Sequence, residues 1–115
     1  MKLKHVLSLT LMASSILLAG AASAEVKIAL VAKSLGNGFF EAANVGAQQA
    51  AKELGDVKVI YTGPTTTTAE AQIEVLNGLI AQGVDAIAVS ANDPDALVPV
   101  LKKAMQRGIK VVSWD

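Results

Sequence analysis

Asp85-Ala86-Ile87-Ala88-Val89-Ser90 leads through a short loop into a helical stretch from Pro94 to Arg107, then Gly108, then Ile109-Lys110-Val111-Val112-Ser113. Two short apolar runs flank an amphipathic segment that carries its own start and stop signals, which is a strand–helix–strand unit. The runs are apolar at consecutive positions, the pattern of parallel strands covered on both faces. Asp93 is a good N-cap, Pro94 suits the first helical position, and Leu97, Leu101 and Ala104 form the inward stripe. Toward the N-terminus the same unit recurs. Val26 to Ala32 and Val57 to Tyr61 read as two further strands. Between them a helix is expected from about Phe39 to Leu54, with Phe40, Ala43, Ala47, Ala50 and Leu54 on its buried face and Gly55 as its stop. A third helix is expected from Ala69 to Gln82, with Ile73, Leu76 and Ile80 inward and Gly83 at its end. Thr67 with Glu70 three residues on reads as its capping box. This alternation predicts an α/β fold, a doubly wound parallel sheet with right-handed crossovers.

Residues 1–24 have the pattern of a cleavable export signal. Lys2, Lys4 and His5 form the basic end, Val6 to Gly20 the apolar stretch, and Ala22-Ser23-Ala24 the small-residue cleavage pattern, so the mature chain is expected to begin at Glu25. The apolar stretch is short for a membrane span, which needs about 20 residues. The 10 basic and 10 acidic residues become 8 and 10 once Lys2 and Lys4 leave with the signal. No basic patch appears, which argues against nucleic acid and anionic membrane as partners. The sequence has no cysteine, and its one histidine is His5 in the signal. That removes disulfides, thiol ligands, a lipidated signal cysteine and imidazole chemistry from the mature chain. Ser34 and Ser90 have no general base beside them and lie in no nucleophile-elbow motif.

In an open parallel sheet, ligands bind beyond the carboxyl ends of the strands. Four loops should open there: Lys33 to Gly38, Thr62 to Thr68, Ser90 to Asp93, and Trp114-Asp115. They hold Lys33, Ser34, Asn37, Phe39, Phe40, Ser90, Asn92, Asp93, Trp114 and Asp115. Charged and amide groups suit the hydroxyls of a small polyhydroxylated ligand, and aromatic rings suit its apolar face. Plainer roles stand beside these. Lys33 also reads as a solvated loop cation, Asp93 as a helix cap, Asp115 as a solvated carboxylate, and Trp114 as edge packing. Phe40 continues the helical stripe inward, which leaves Phe39 as the more exposed ring. Gly36-Asn37-Gly38-Phe39-Phe40-Glu41 follows a strand and opens a helix, yet Glu41 stands where a dinucleotide fingerprint has its third glycine. Tyr61-Thr62 supplies no acidic residue for a ribose. No cofactor is expected.

Several stretches together resemble the periplasmic sugar-binding proteins of ABC importers, in the ribose-type family. They are Lys27 to Val31, Gly38-Phe39-Phe40, Gly46 to Gly55, Gln82 to Ile87, and Arg107 to Val112. Lys33, Gly38-Phe39-Phe40, Tyr61 to Thr65, Val89-Ser90-Ala91 and Ser113-Trp114-Asp115 look most like the rhamnose-binding and autoinducer-2-binding branch. Gly38 stands where the wider family commonly has a proline. The resemblance implies a two-lobed fold with the ligand clamped between lobes. Residues 25–115 would be the N-terminal part of the first lobe, ending after its fourth strand, with the second lobe absent. It further implies that Lys33 and Asp115 are polar ligand contacts, that Phe39 and Phe40 line the pocket, and that Ser90 and Asn92 contribute, while Asn37 and Trp114 are candidate ligand contacts from their place in the loops. The implied partners are a small sugar, rhamnose first, and an ABC permease of the inner membrane. The implied location is the periplasm, and the complete protein would be a monomer. The alternatives are a receptor for an autoinducer-2-type signal and, from another class, an exported enzyme on a Rossmann-like fold. A repressor core of the same architecture is disfavoured by the export signal. Half a lobe should also leave apolar sheet edge and helix face uncovered.

Overall fold

A computed structural model describes residues 24–115; apart from Ala24, the export signal lies outside the described residues. The elements run β1 (Val26–Val31), α1 (Gly38–Leu54), β2 (Val57–Thr62), α2 (Ala69–Gln82), β3 (Ala86–Val89), α3 (Pro94–Gln106) and β4 (Lys110–Ser113). The strands form one parallel sheet in the order β2-β1-β3-β4. The chain moves outward from β1 to β2, then crosses back over β1 to add β3 and β4. Right-handed crossovers then put α1 on one face and the packed pair α2 and α3 on the other. The doubly wound α/β architecture read from the sequence is the one observed.

The core lies on the α2–α3 side. Ala29, Val31, Ile87 and Val89 project from the strands to meet Leu76, Leu79 and Ile80 of α2 and Leu97, Val100 and Ala104 of α3. A buried side chain of this size stabilises a fold by roughly 1.5–3 kcal/mol relative to exposure. The opposite face has only α1 over it. Ile28, Leu30 and Ala88 are therefore half-buried rather than buried, and Val112 on the outer strand is 60% exposed. The consecutive apolar runs thus overstate how fully both faces are covered.

Each helix starts on a side-chain cap. The Asn37 side chain accepts from the Phe39 amide, that of Thr68 from Ala71, and that of Asp93 from Ala96. The cap of α2 is Thr68, not Thr67: it is Thr68 that has the extended backbone of an N-cap, one residue before the helix begins. The inward stripe of α1 also differs from the expected one. Ala50 and Leu54 are exposed, Leu54 to 66%, and Ala51 is buried instead. The face runs Ala43, Ala47, Ala51 in steps of four, where the expected stripe stepped by three from Ala47 to Ala50. In α3, Leu101 is half-buried and Val100 takes its place inward. β3 runs from Ala86, one residue later than expected, although the Asp85 amide still donates to Lys27 O at 2.9 Å; the Asp85 carboxylate also accepts the Lys27 amide at 2.8 Å. Gly83 ends α2 in the left-handed conformation, φ 70° and ψ 41°, a backbone that residues with a side chain adopt only with strain. Among the described residues no helix is long and apolar enough to cross a membrane.

Candidate functional site

Strand order reverses between β1 and β3, because β1 is followed outward by β2 on one side and β3 continues to β4 on the other. The two loops leaving such a pair diverge and open a crevice at the carboxyl edge. The sheet ladder runs right up to this crevice. The Ser90 amide donates to Val31 O at 3.0 Å, and the Trp114 amide to Val89 O at 3.1 Å. Lys33, Ser90 and Trp114 therefore start from fixed backbone.

The Lys33 and Ser90 side chains converge on Asp115. Lys33 Nζ donates to Asp115 Oδ2 and to Asp115 O, both at 3.1 Å, and Ser90 Oγ reaches Oδ2 at 3.4 Å. Asn92 Nδ2 donates to Lys33 O at 2.8 Å, tying the loops after β3 and β1 together. The Lys33 and Asp115 side chains remain 34% and 39% exposed, so the pair is in contact yet open to solvent. Ser90 is fully buried.

An aromatic wall adjoins these polar groups. Phe40 is buried, and Trp114 meets its ring edge-on at 5.7 Å. Phe39 meets the same ring edge-on at 5.3 Å and is itself 59% exposed. The sequence reading of Phe40 as inward and Phe39 as outward matches this arrangement. The Trp114 indole Nε1 is buried without a hydrogen-bond partner among the described residues. Ala91, Pro94, Ser113, Trp114 and Asp115 line a cavity of about 360 Å³ beside it. A larger cavity, about 530 Å³, lies at the other end of the sheet between α1 and the start of β2. Ala51, Lys52, Gly55 and Val57 line it, and it brings together none of the candidate residues.

Asn37 and Asp93 stand apart from the cluster as caps, with Asn37 Oδ1 held by the Phe39 amide at 2.9 Å and Asp93 Oδ1 by the Ala96 amide at 3.0 Å. Ser34 is half-buried in the loop, its side chain without a hydrogen bond among the described residues. Three supports escaped the sequence reading. Gln72, on α2, is fully buried and bonded to both loops. Its signal was present in the spacing, since Gln72, Leu76 and Leu79 follow one helical stripe. Glu41 Oε1 accepts from the Gly36 amide at 3.3 Å and from Tyr61 OH at 3.1 Å, bracing the loop after β1 against β2. Burial, with the Glu41 carboxylate as hydrogen-bond partner and neighbouring charge, raises the Tyr61 pKa above its ordinary 10.0. Gly63 passes so close to β1 that a Cβ there would lie 3.0 Å from Ala32 O.

Polar and aromatic side chains are thus gathered at the topological switch point of a parallel α/β sheet, the place where open sheets of this kind hold ligands. Residues 28–115 match the family model described as periplasmic binding protein domain, and the chain belongs to that family. It is 42% identical over 91 residues to the D-ribose/D-allose-binding protein of Pseudomonas aeruginosa, covering 77% of this chain and 28% of that one. Among solved structures it is similar to LsrB from Clostridium saccharobutylicum in complex with AI-2, with 38% identity and a TM-score of 0.76. That match covers 78% of this chain and 27% of LsrB. It is also similar to an ABC transporter solute-binding protein from Clostridium phytofermentas with bound L-rhamnose, at 41% identity and a TM-score of 0.74. There the match covers 79% of this chain and 28% of the other. The chain thus spans under a third of the length of these relatives.

Proposed function

We propose that residues 25–115 are the N-terminal part of the first of two lobes of an exported receptor. The receptor binds a monosaccharide in the periplasm and delivers it, chemically unchanged, to an ABC permease of the inner membrane. The observation that carries this reading is the convergence of Lys33 and Ser90 on Asp115 beside Phe39, Phe40 and Trp114 at the switch point. An ammonium, a hydroxyl and a carboxylate in one cluster supply donors and acceptors for vicinal hydroxyls. The adjoining rings cover an apolar sugar face. Asn92 lends shape by holding the Lys33 loop, and Asn37 holds the first turn of α1 beneath Phe39.

L-rhamnose is the first candidate, supported by the similar rhamnose-bound receptor. The second reading, a receptor for an autoinducer-2-type signal, is supported by the likeness to LsrB. In either case a second lobe closes over the ligand, and the closed state is what the membrane partner reads. The test is calorimetric titration of the full-length, signal-free protein with L-rhamnose, AI-2, D-ribose and D-allose. Saturable one-to-one binding, tightest for L-rhamnose and accompanied by a change in Trp114 fluorescence, is expected. Tighter binding of AI-2 replaces the first reading with the second. Failure of all four to saturate overturns both, and recovery of a chemically altered ligand makes the protein an enzyme.

A further inference from the structure

We infer that Gln72 is the positioning residue of the candidate ligand site, holding Lys33, Ser90 and Asn92 in register without touching ligand itself. The inference rests on the binding function proposed above. Gln72 is fully buried on α2, beneath the crevice. Its Nε2 donates to Ala32 O at 3.1 Å and to Ser90 O at 2.7 Å, and its Oε1 accepts from the Asn92 amide at 2.8 Å. Both amide hydrogens and the carbonyl oxygen are engaged, and all three partners are backbone atoms of the two loops that diverge at the switch point. Ala32 immediately precedes Lys33, whereas Ser90 and Asn92 are candidate contacts themselves. The Asn92 side chain then closes a second tie to Lys33 O.

The donor pattern makes an amide necessary. Two carbonyl oxygens, from Ala32 and Ser90, approach one nitrogen. Without its two hydrogens they face each other across a buried gap with nothing between, and the loops after β1 and β3 spread. A thioether supplies no donor at all. A carboxyl supplies at most one hydrogen for the two carbonyls, whatever its protonation. The packing of α2 on the sheet rests on other residues, Leu76, Leu79 and Ile80. Positioning and packing are thus carried by different side chains of one helix, which allows them to be told apart.

The experiment compares Gln72→Met, Gln72→Glu and the packing control Leu79→Ala in the full-length protein, below every melting transition. The affinity probes are L-rhamnose, AI-2, D-ribose and D-allose, and exchange of the Asn92 amide hydrogen is read without ligand. Gln72→Met is expected to raise Kd about tenfold, the factor matching one ligand hydrogen bond lost when the loops shift. Gln72→Glu is expected to fall between it and the parent and serves in its place if the methionine variant does not fold. Leu79→Ala is expected to lower the melting temperature with Kd moved less than about twofold. Asn92 exchange should accelerate in the Gln72 variants and not in Leu79→Ala. A Kd moved equally by Gln72→Met and Leu79→Ala, or unmoved by both Gln72 variants, overturns the inference. If the parent protein binds none of the four probes, the sugar reading falls and Asn92 exchange alone decides. Acceleration confined to the Gln72 variants upholds positioning, and equal exchange in all variants refutes it.

Discussion

Replacing Lys33 by methionine separates the stability of the fold from the ligand contact proposed for this side chain. The Lys33 ammonium lies 3.1 Å from Asp115 Oδ2, with the two side chains 34% and 39% exposed. Ion pairs this open contribute about 0.2–1 kcal/mol, because water and salt screen them and two long side chains must be ordered. The unpaired Asp115 carboxylate in the variant remains hydrated, so no buried charge is stranded. Urea unfolding should therefore show a loss of no more than about 1 kcal/mol. Ligand affinity should respond far more. An ammonium bonded to a sugar hydroxyl inside a closed cleft is a charge-assisted hydrogen bond of about 1.5–3 kcal/mol, which is roughly ten- to a hundredfold in Kd. Calorimetric titration of parent and variant with the ligand that saturates the parent measures that change. A variant that loses more than about 2 kcal/mol of stability while keeping its Kd would refute the reasoning. Lys33 would then be a structural strut, and the open geometry would have misled.

Phe40→Ala should cost about 3–5 kcal/mol, since the ring is buried and touches both Phe39 and Trp114. Thermal unfolding measures the loss, and a Trp114 emission shift to longer wavelength should accompany it. Gly63→Ala should cost about 1–3 kcal/mol, because the new methyl meets the Ala32 carbonyl, a backbone atom with little room to move. An unchanged denaturation midpoint would show that the approach relaxes freely. Tyr61 keeps its proton more firmly in the folded state than in the unfolded chain. Its contribution is therefore complete below the ordinary phenol value of 10.0 and is lost as pH rises through the folded value. Melting curves taken upward from neutral pH should show this decline, and Tyr61→Phe should flatten it.

Much of this was legible from the chain itself, for identifiable reasons. Asp93 and Pro94 announce α3 because a cap and a fixed φ act over three or four residues, within the reach of local sequence. The wall of the site was legible because strand ends in a parallel sheet share an edge, so Lys33 and Asp115 could be placed together although 82 positions separate them. Thr67 and Thr68 could not be told apart, since both are threonines with an acidic residue two or three positions on, and backbone conformation decides between them. Gln72 escaped for a different reason. Its three partners are main-chain atoms, which look the same at every position, and a glutamine among apolar helix residues also reads as a surface position. That apolar surface would be left uncovered was legible, but not that it falls on the face of β3 and β4, because apolar runs report which residues prefer burial, not which element arrives to bury them.

The last rungs of the sheet ladder end on the main chain of Ser90 and Trp114. The frame of the crevice is thus written in peptide groups that every residue possesses, while its chemistry is written in side chains that the frame does not need. Such a site can exchange one contact at a time and change its ligand without renegotiating its fold. Relatives at 38% and 41% identity, one solved with AI-2 and one with L-rhamnose, share this backbone frame with TM-scores of 0.76 and 0.74. Diversification of this kind should leave its record at Lys33, Ser90, Trp114 and Asp115, and far less at Gln72, whose partners are the frame itself.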